Sequence, residues 1–243
     1  MSSTALARAI DDLVIANRII AHEGVVDALG HVSLRHPEDP DRFLLSRSRS
    51  PALVTREDIM SLDHGCHPSP ADERPLYLER FIHGAIYAAR PDVMAVIHSH
   101  AHEVLPYTVS STPLRPVINT AGVIGAEVPV WDIRSKFGDA TNLLVTNGPQ
   151  GTDLAARLGG NSVVLMRGHG FTAAGRSLID AIRISIYLKL NAAVLSEALR
   201  LGEVTYLSEG EIAAMQGLDP NAPELQRVWQ YWAARAGCTD MLG

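Results

Sequence analysis

A chain of 243 residues with a formal charge of −6 is long enough for one large α/β domain, and lacks the clustered Lys and Arg that a phosphate backbone demands. Its 47% hydrophobic content is ordinary for a globular protein, while no apolar run reaches the roughly eighteen residues of a membrane span. Nucleic acid and membrane are thereby excluded as main partners, leaving a small-molecule ligand as the expectation.

The start, Met1-Ser2-Ser3-Thr4, has no basic region or apolar block of the signal-peptide kind, so a soluble cytoplasmic protein is expected. Cys66 and Cys238 are too few and too far apart for a disulfide framework and read as free thiols. Ser3 or Thr4 can cap a first helix whose stripe is Leu6, Ile10, Leu13, Val14 and Ile20, with Gly24 as its stop. Gly30 to Arg35 alternates as a half-buried strand, the Pro/Asp-rich stretch His36 to Asp41 turns, and Arg42 to Ser46 returns as its hairpin mate.

Ser46-Arg47-Ser48-Arg49-Ser50-Pro51 follows as a basic, hydroxyl-rich loop. It reads either as a solvated turn or as a carboxylate clamp, since a guanidinium binds carboxylates bidentately and hydroxyls can complete the hydrogen bonding. Thr55 to Asp58 resembles a capped turn and Ile59 to Asp63 a short apolar segment. His64-Gly65-Cys66-His67-Pro68 offers weakly arranged donors and reads as a surface turn, not a metal site.

Pro75 fits the first position of a helix with Asp72 near its cap, and Leu78, Phe81, Ile82, Ala85 and Ile86 recur at helical spacing. Glu79, His83 and Tyr87 lie on its polar side. The next segment, Val93-Met94-Ala95-Val96-Ile97-His98-Ser99-His100, reads as a buried strand whose two histidines face one way, because strand side chains repeat with period two. His102 lies beyond the strand, in the second shell or in solvent.

Short strands are expected at 114–118 and 125–130 around a turn at 119–122, then a short apolar piece from Asn142 to Val145 and a helix through Leu154 and Leu158 ending at Gly159-Gly160. Val163 to Met166 forms another buried strand, ending in Gly168-His169-Gly170, where the glycines permit close approach. Ser177-x-x-Asp180 caps a long helix with the stripe Leu178, Ala181, Ile182, Ile186, Leu190, Ala193, Val194 and Leu199. Ser208-x-x-Glu211 is a second capping box, and a last helix carries Leu225, Val228, Trp229 and Trp232, aromatics of a kind that often dock on a neighbouring subunit.

Two strand-end imidazoles can share a cation, and a protein-bound divalent metal takes three or four N/O donors. Glu79 and His169 are the best remaining donors, giving a Glu79/His98/His100/His169 set.

With those pieces in view the chain resembles the class II aldolase/adducin superfamily from Leu6 to about Met215. The resemblance rests on Gly30-His31-Val32-Ser33, the helix with Glu79, His83 and Tyr87, the Arg90-Pro91-Asp92 turn, Val96-Ile97-His98-Ser99-His100 and Met166-Arg167-Gly168-His169-Gly170. It implies a single layered α/β/α domain over residues 1–243, with a mainly antiparallel central sheet and a C-terminal helical tail from about 219. It further implies a homotetramer with sites near subunit interfaces, metal ligands at Glu79, His98, His100 and His169, and proton transfer by Glu79. The small phosphate-binding pairs of the sugar-phosphate aldolases are replaced here by Gly30-His31, Ser46-Arg47 and Tyr77-Leu78, a set better suited to a planar aromatic carboxylate.

Phe43 to Ser48, Leu53 to Met60, Pro75 to His83 and Val204 to Leu207 are most similar to the metal-dependent decarboxylases of ortho-hydroxylated aromatic or heteroaromatic (di)carboxylates in aromatic catabolism. That likeness implies catalysis by Glu79, substrate binding by His31, Ser46, Arg47 and Tyr77, and Mn2+ or Zn2+ as cofactor, with Fe2+ or Co2+ open. Whether Tyr206 or Tyr231 completes a neighbouring site is left open. An aldolase or epimerase acting on a sugar phosphate or hydroxy-keto acid is the alternative enzyme. A non-enzymatic adducin-like domain is disfavoured because that branch lacks the metal set.

Overall fold

The computed structural model describes residues 4–216 and 222–242. Seven strands, β1 (His31–Arg35), β2 (Arg42–Ser46), β3 (Ile59–Asp63), β4 (Ala95–Ser99), β5 (Val130–Trp131), β6 (Val163–Met166) and β7 (Gly170–Gly175), make one sheet in the order β3-β2-β1-β4-β7-β6-β5. Every pairing is antiparallel except β5 with β6. The helices are α1 (Thr4–His22), α2 (Arg80–Ala89), α3 (Leu105–Val109), α4 (Arg134–Phe137), α5 (Gly148–Leu158), α6 (Leu178–Leu201), α7 (Glu209–Gln216) and α8 (Pro223–Arg235).

Period-two alternation sorts the sheet into two cores. Val32, Ala95, Ile97, Val163, Leu165, Phe171 and Ala173 pack with Leu13, Ile20, Ile182 and Leu188 of α1 and α6. Phe43, Leu45, Val96, Val164 and Met166 pack on the other side with Ile82 and Ile86 of α2 and Leu154 and Leu158 of α5. The result is an α/β/α sandwich around a mostly antiparallel sheet. Among the described residues no helix is long and apolar enough to cross a membrane.

Four expectations change. The segment 114–118 is not a strand: Pro116 has no N–H, and the side chain of buried Asn191 on α6 takes a ladder partner's place. Its Nδ2 donates to the Arg115 carbonyl at 2.9 Å and its Oδ1 accepts from Val117 N at 2.8 Å. The turn that follows is a 3-10 stretch, Asn119–Ile124, and of 125–130 only Val130 joins a strand. Asn191→Leu is expected to lower stability by about 2 kcal/mol, because two part-buried backbone groups lose their partners; urea unfolding would check it.

The helix expected to carry Glu79 begins at Arg80, not Pro75, and leaves Glu79 at its N-cap position. The preceding residues are held extended along the end of β2, with Ser48 N donating to the Pro75 carbonyl at 2.7 Å and Asp72 engaged by Arg74. In α6 the buried residues beyond Ile182 are Arg183, Ile184, Ser185, Leu188, Asn191, Ala192 and Leu195, whereas Leu190, Val194 and Leu199 are exposed. A helix apolar on more than one side does not announce which side meets the sheet. Trp229 and Trp232 pack into the chain's own core beside α1, not outward. Ser3 and the start of the expected tail at 219 lie outside the described residues.

Candidate metal centre

Antiparallel register sets His31 opposite His98 and His98 opposite Thr172, so three neighbouring strands carry polar side chains into the layer beneath α2. His98 ends β4, His100 lies just beyond it, and His169 sits in the tight β6–β7 turn. Gly170 is needed there, since a Cβ would fall 2.0 Å from the Ser99 carbonyl oxygen. Glu79 caps α2 from across the layer.

The four side chains bring one donor atom each within 4.8 Å of one another. His100 Nε2 lies 3.0 Å from His98 Nε2 and 3.1 Å from His169 Nε2, and Glu79 Oε2 lies 3.4 Å from the Nε2 of His98 and of His169. The outer atoms decide what the inner ones carry. His98 Nδ1 faces the Phe171 carbonyl at 3.1 Å and His100 Nδ1 faces the Asp27 carboxylate at 3.3 Å, so both rings are protonated outward. Their Nε2 lone pairs then point at one another, which is repulsive without a cation between them. Glu79 Oε1 accepts from Val145 N at 2.9 Å, leaving Oε2 for the centre.

Burial opposes ionisation of Glu79, but the imidazoles of His98 and His169 outweigh it and hold the carboxyl far below the usual carboxylate range. Burial, with His98 and His169 alongside, lowers His100 to about 4 against the pull of Asp27. A carboxylate oxygen with three imidazole nitrogens matches the donor chemistry of a divalent transition metal.

A second network lies behind the first. His31 Nδ1 is 2.7 Å from His83 Nε2, His83 Nδ1 is 2.6 Å from Ser33 Oγ, and Ser33 Oγ is 2.8 Å from the Tyr87 hydroxyl. Burial pushes His83 down to about 3 and His31 well below its ordinary value, so both rings are neutral near pH 7. His31 also lines a cavity of about 210 Å³ that opens onto Glu79 and His100 and is walled by Leu29, Leu76, Tyr77, Leu78, Leu144 and Ser48.

The Tyr77 hydroxyl is engaged by Ser46 Oγ at 3.0 Å and by the Arg49 carbonyl, so Ser46 acts on the cavity only through Tyr77. Arg47 is turned to Asp58, its Nε 2.6 Å from Oδ1, and Ser48 rather than Arg47 reaches the wall. Asp58 in turn accepts from Thr55 N and Oγ1. A separate cleft at the other end of β4 and β7, lined by Arg90, Arg176, Arg183, Asp92 and Asp180, is distant from these donors. His102 is exposed, Tyr206 lies under the Arg115 guanidinium, and Tyr231 is exposed.

Residues 11–195 match the family model described as the class II aldolase and adducin N-terminal domain. The chain belongs to this family. Among its class II aldolase relatives, the decarboxylase tropJ of Talaromyces stipitatus is 36% identical over 237 residues, covering 88% of each chain. The 3,4-dihydroxyphthalate decarboxylase of Terrabacter sp. is 30% identical over 243 residues, with 91% of this chain and 94% of that one covered. An aldolase II superfamily protein from Pseudomonas syringae superposes with a TM-score of 0.81 at 21% identity, over 99% of this chain and 96% of that one, a likeness of fold alone.

Sequence reasoning on this member of the class II aldolase and adducin family missed Asp27, Val145 and the part played by Ser33. Asp27 had a usable signal: an Asp three residues before Gly30 forms an Asx turn, its Oδ1 accepting from Leu29 N at 2.8 Å and Gly30 N at 3.1 Å. The backbone N–H of Val145 had none.

Proposed function

We propose that the protein is a metal-dependent decarboxylase of an ortho-hydroxylated aromatic or heteroaromatic acid, working in aromatic catabolism. The observation that carries this reading is the convergence of Glu79, His98, His100 and His169 at the floor of a small, leucine-walled cavity. The decarboxylase activities by which the Talaromyces and Terrabacter relatives are named support it. Glu79, His98, His100 and His169 would hold one divalent cation, Mn2+ or Zn2+, with Fe2+ or Co2+ as substitutes. Such a cation supplies Lewis acidity to a ring oxygen and an adjacent carboxylate.

The protein's own groups do the rest. The leucines and Tyr77 clamp the ring and exclude water, and His31 meets a substrate oxygen. Cleavage of the aryl–carboxylate bond leaves its electron pair on the ring carbon, and a proton taken from water, or one that Glu79 Oε2 first accepts from the substrate's ring hydroxyl and then returns to carbon, takes the place of carbon dioxide. Ser46 fixes Tyr77, while Arg47 braces the loop through Asp58 and offers its remaining N–H groups to a second carboxylate at the cavity mouth. A homotetramer belongs to the proposal, supported by the exposed Leu190, Val194, Leu199 and Leu201 along α6. So does a reducing, cytoplasmic location, which the free thiols of Cys66 and Cys238 suit.

The test is carbon dioxide release from a panel of ortho-hydroxy aromatic mono- and diacids, set against aldehyde release from sugar phosphates, before and after chelation. Loss of turnover on chelation and its return with Mn2+ or Zn2+ are expected. Aldehyde release without carbon dioxide release would favour the aldolase reading instead.

A further inference from the structure

We propose that His83, Ser33 and Tyr87 form a tautomer lock: positioning residues that keep the proton of His31 on Nε2 and so make His31 a fixed hydrogen-bond donor to the substrate. The inference rests on the proposed function only for the identity of the group His31 meets. The lock itself follows from counting protons along the buried chain.

Tyr87 is 1% exposed, and its hydroxyl meets Ser33 Oγ at 2.8 Å and the backbone of Val96, whose N–H can only donate. A buried phenol proton needs an acceptor, so Tyr87 donates to Ser33. The Ser33 hydroxyl proton then goes to its other neighbour, His83 Nδ1, which must accept. His83, accepting at Nδ1, therefore carries its proton on Nε2 and donates to His31 Nδ1. His31, accepting at Nδ1, is left with its proton on Nε2, on the ring edge opposite His83. The reverse order leaves the Tyr87 proton with no acceptor in the core.

The same chain excludes a second role. A relay that resupplies protons to a reaction must reach water at its far end. Here Ser33 and His83 are fully buried and the line stops at Tyr87 in the apolar layer beside Phe43. The network orients; it does not refill. The product proton must come from elsewhere, and His31 →Gln should weaken substrate binding more than it slows turnover.

The test reads the tautomer directly. Nitrogen NMR of histidine-labelled, zinc-loaded protein at pH 7 is expected to show His31 and His83 each as a single Nε2–H form. Finding His31 protonated on Nδ1 would overturn the lock. In Tyr87→Phe the order is no longer forced, so a second His31 tautomer should appear and kcat/KM for the best aromatic acid should fall about 10-fold. Ser33→Thr, which keeps the hydroxyl, should retain the single tautomer and nearly full activity. An unchanged His31 spectrum in Tyr87→Phe would remove Tyr87 from the lock. The spectra need no substrate, so a protein that releases no carbon dioxide defeats the proposed activity while the tautomer is still decided.

Discussion

His169→Ala is expected to abolish stoichiometric metal binding and to cut carbon dioxide release by at least about 1,000-fold, with little change in fold. The reason is geometric. His169 Nε2 stands 3.1 Å from His100 Nε2 and 3.4 Å from Glu79 Oε2, so its removal takes away one of the four donors and opens that side of the site. Its own Nδ1 is buried without a partner, so little structural bonding is lost with it. Glu79→Gln tests a different property: it keeps the size and the contact to Val145 N but removes the negative charge, and turnover should vanish with it. Asp27→Asn weakens only the support behind His100 and should cost about 10–100-fold in metal affinity. Elemental analysis and titration of apoprotein with Zn2+ measure all three. Stoichiometric metal in His169→Ala would sink the assignment of the centre.

The chain disclosed its candidate metal donors because each announces itself locally. His98 and His100 stand at the end of an apolar strand at a spacing of two, His169 is bracketed by Gly168 and Gly170, and Glu79 directly precedes an amphipathic helix. The sheet was readable for the same reason, since the alternation in β1, β2 and β4 fixes which side each residue faces. What the sequence concealed are partnerships made at long range. Nothing near Leu114 to Ile118 reveals that Asn191, over seventy residues on, takes the backbone bonds a strand would have used. Nothing in Ser46-Arg47-Ser48 reveals that Asp58 holds Arg47. The counter-charge that fixes Arg47 sits in a capped turn that itself looked merely structural.

The buried histidines also predict how the protein fails in acid. The unfolded chain binds a proton at His83 near the ordinary histidine value of 6.5, whereas burial and the neighbouring His98 hold the folded value to about 3. Between those limits the unfolded state carries more protons, so stability falls as pH falls, by about 1.4 kcal/mol per pH unit for this one group. His31 shifts the same way and adds to the loss. Glu79, ionised far below the usual carboxylate range, contributes stability that is present above an unfolded value near 4.5 and is lost at still lower pH. Metal-free protein should therefore lose about 1–2 kcal/mol from His83 alone on going from pH 6.5 to pH 5, because the unfolded residue is already half protonated at the upper limit. His83→Gln keeps a donor and an acceptor near Ser33 and His31 but does not titrate, so its unfolding free energy should fall less steeply over that range. Urea unfolding of both proteins at matched pH decides the matter: equal slopes would mean that His83 is already protonated in the folded state, and the neutral network behind the metal centre would have to be abandoned.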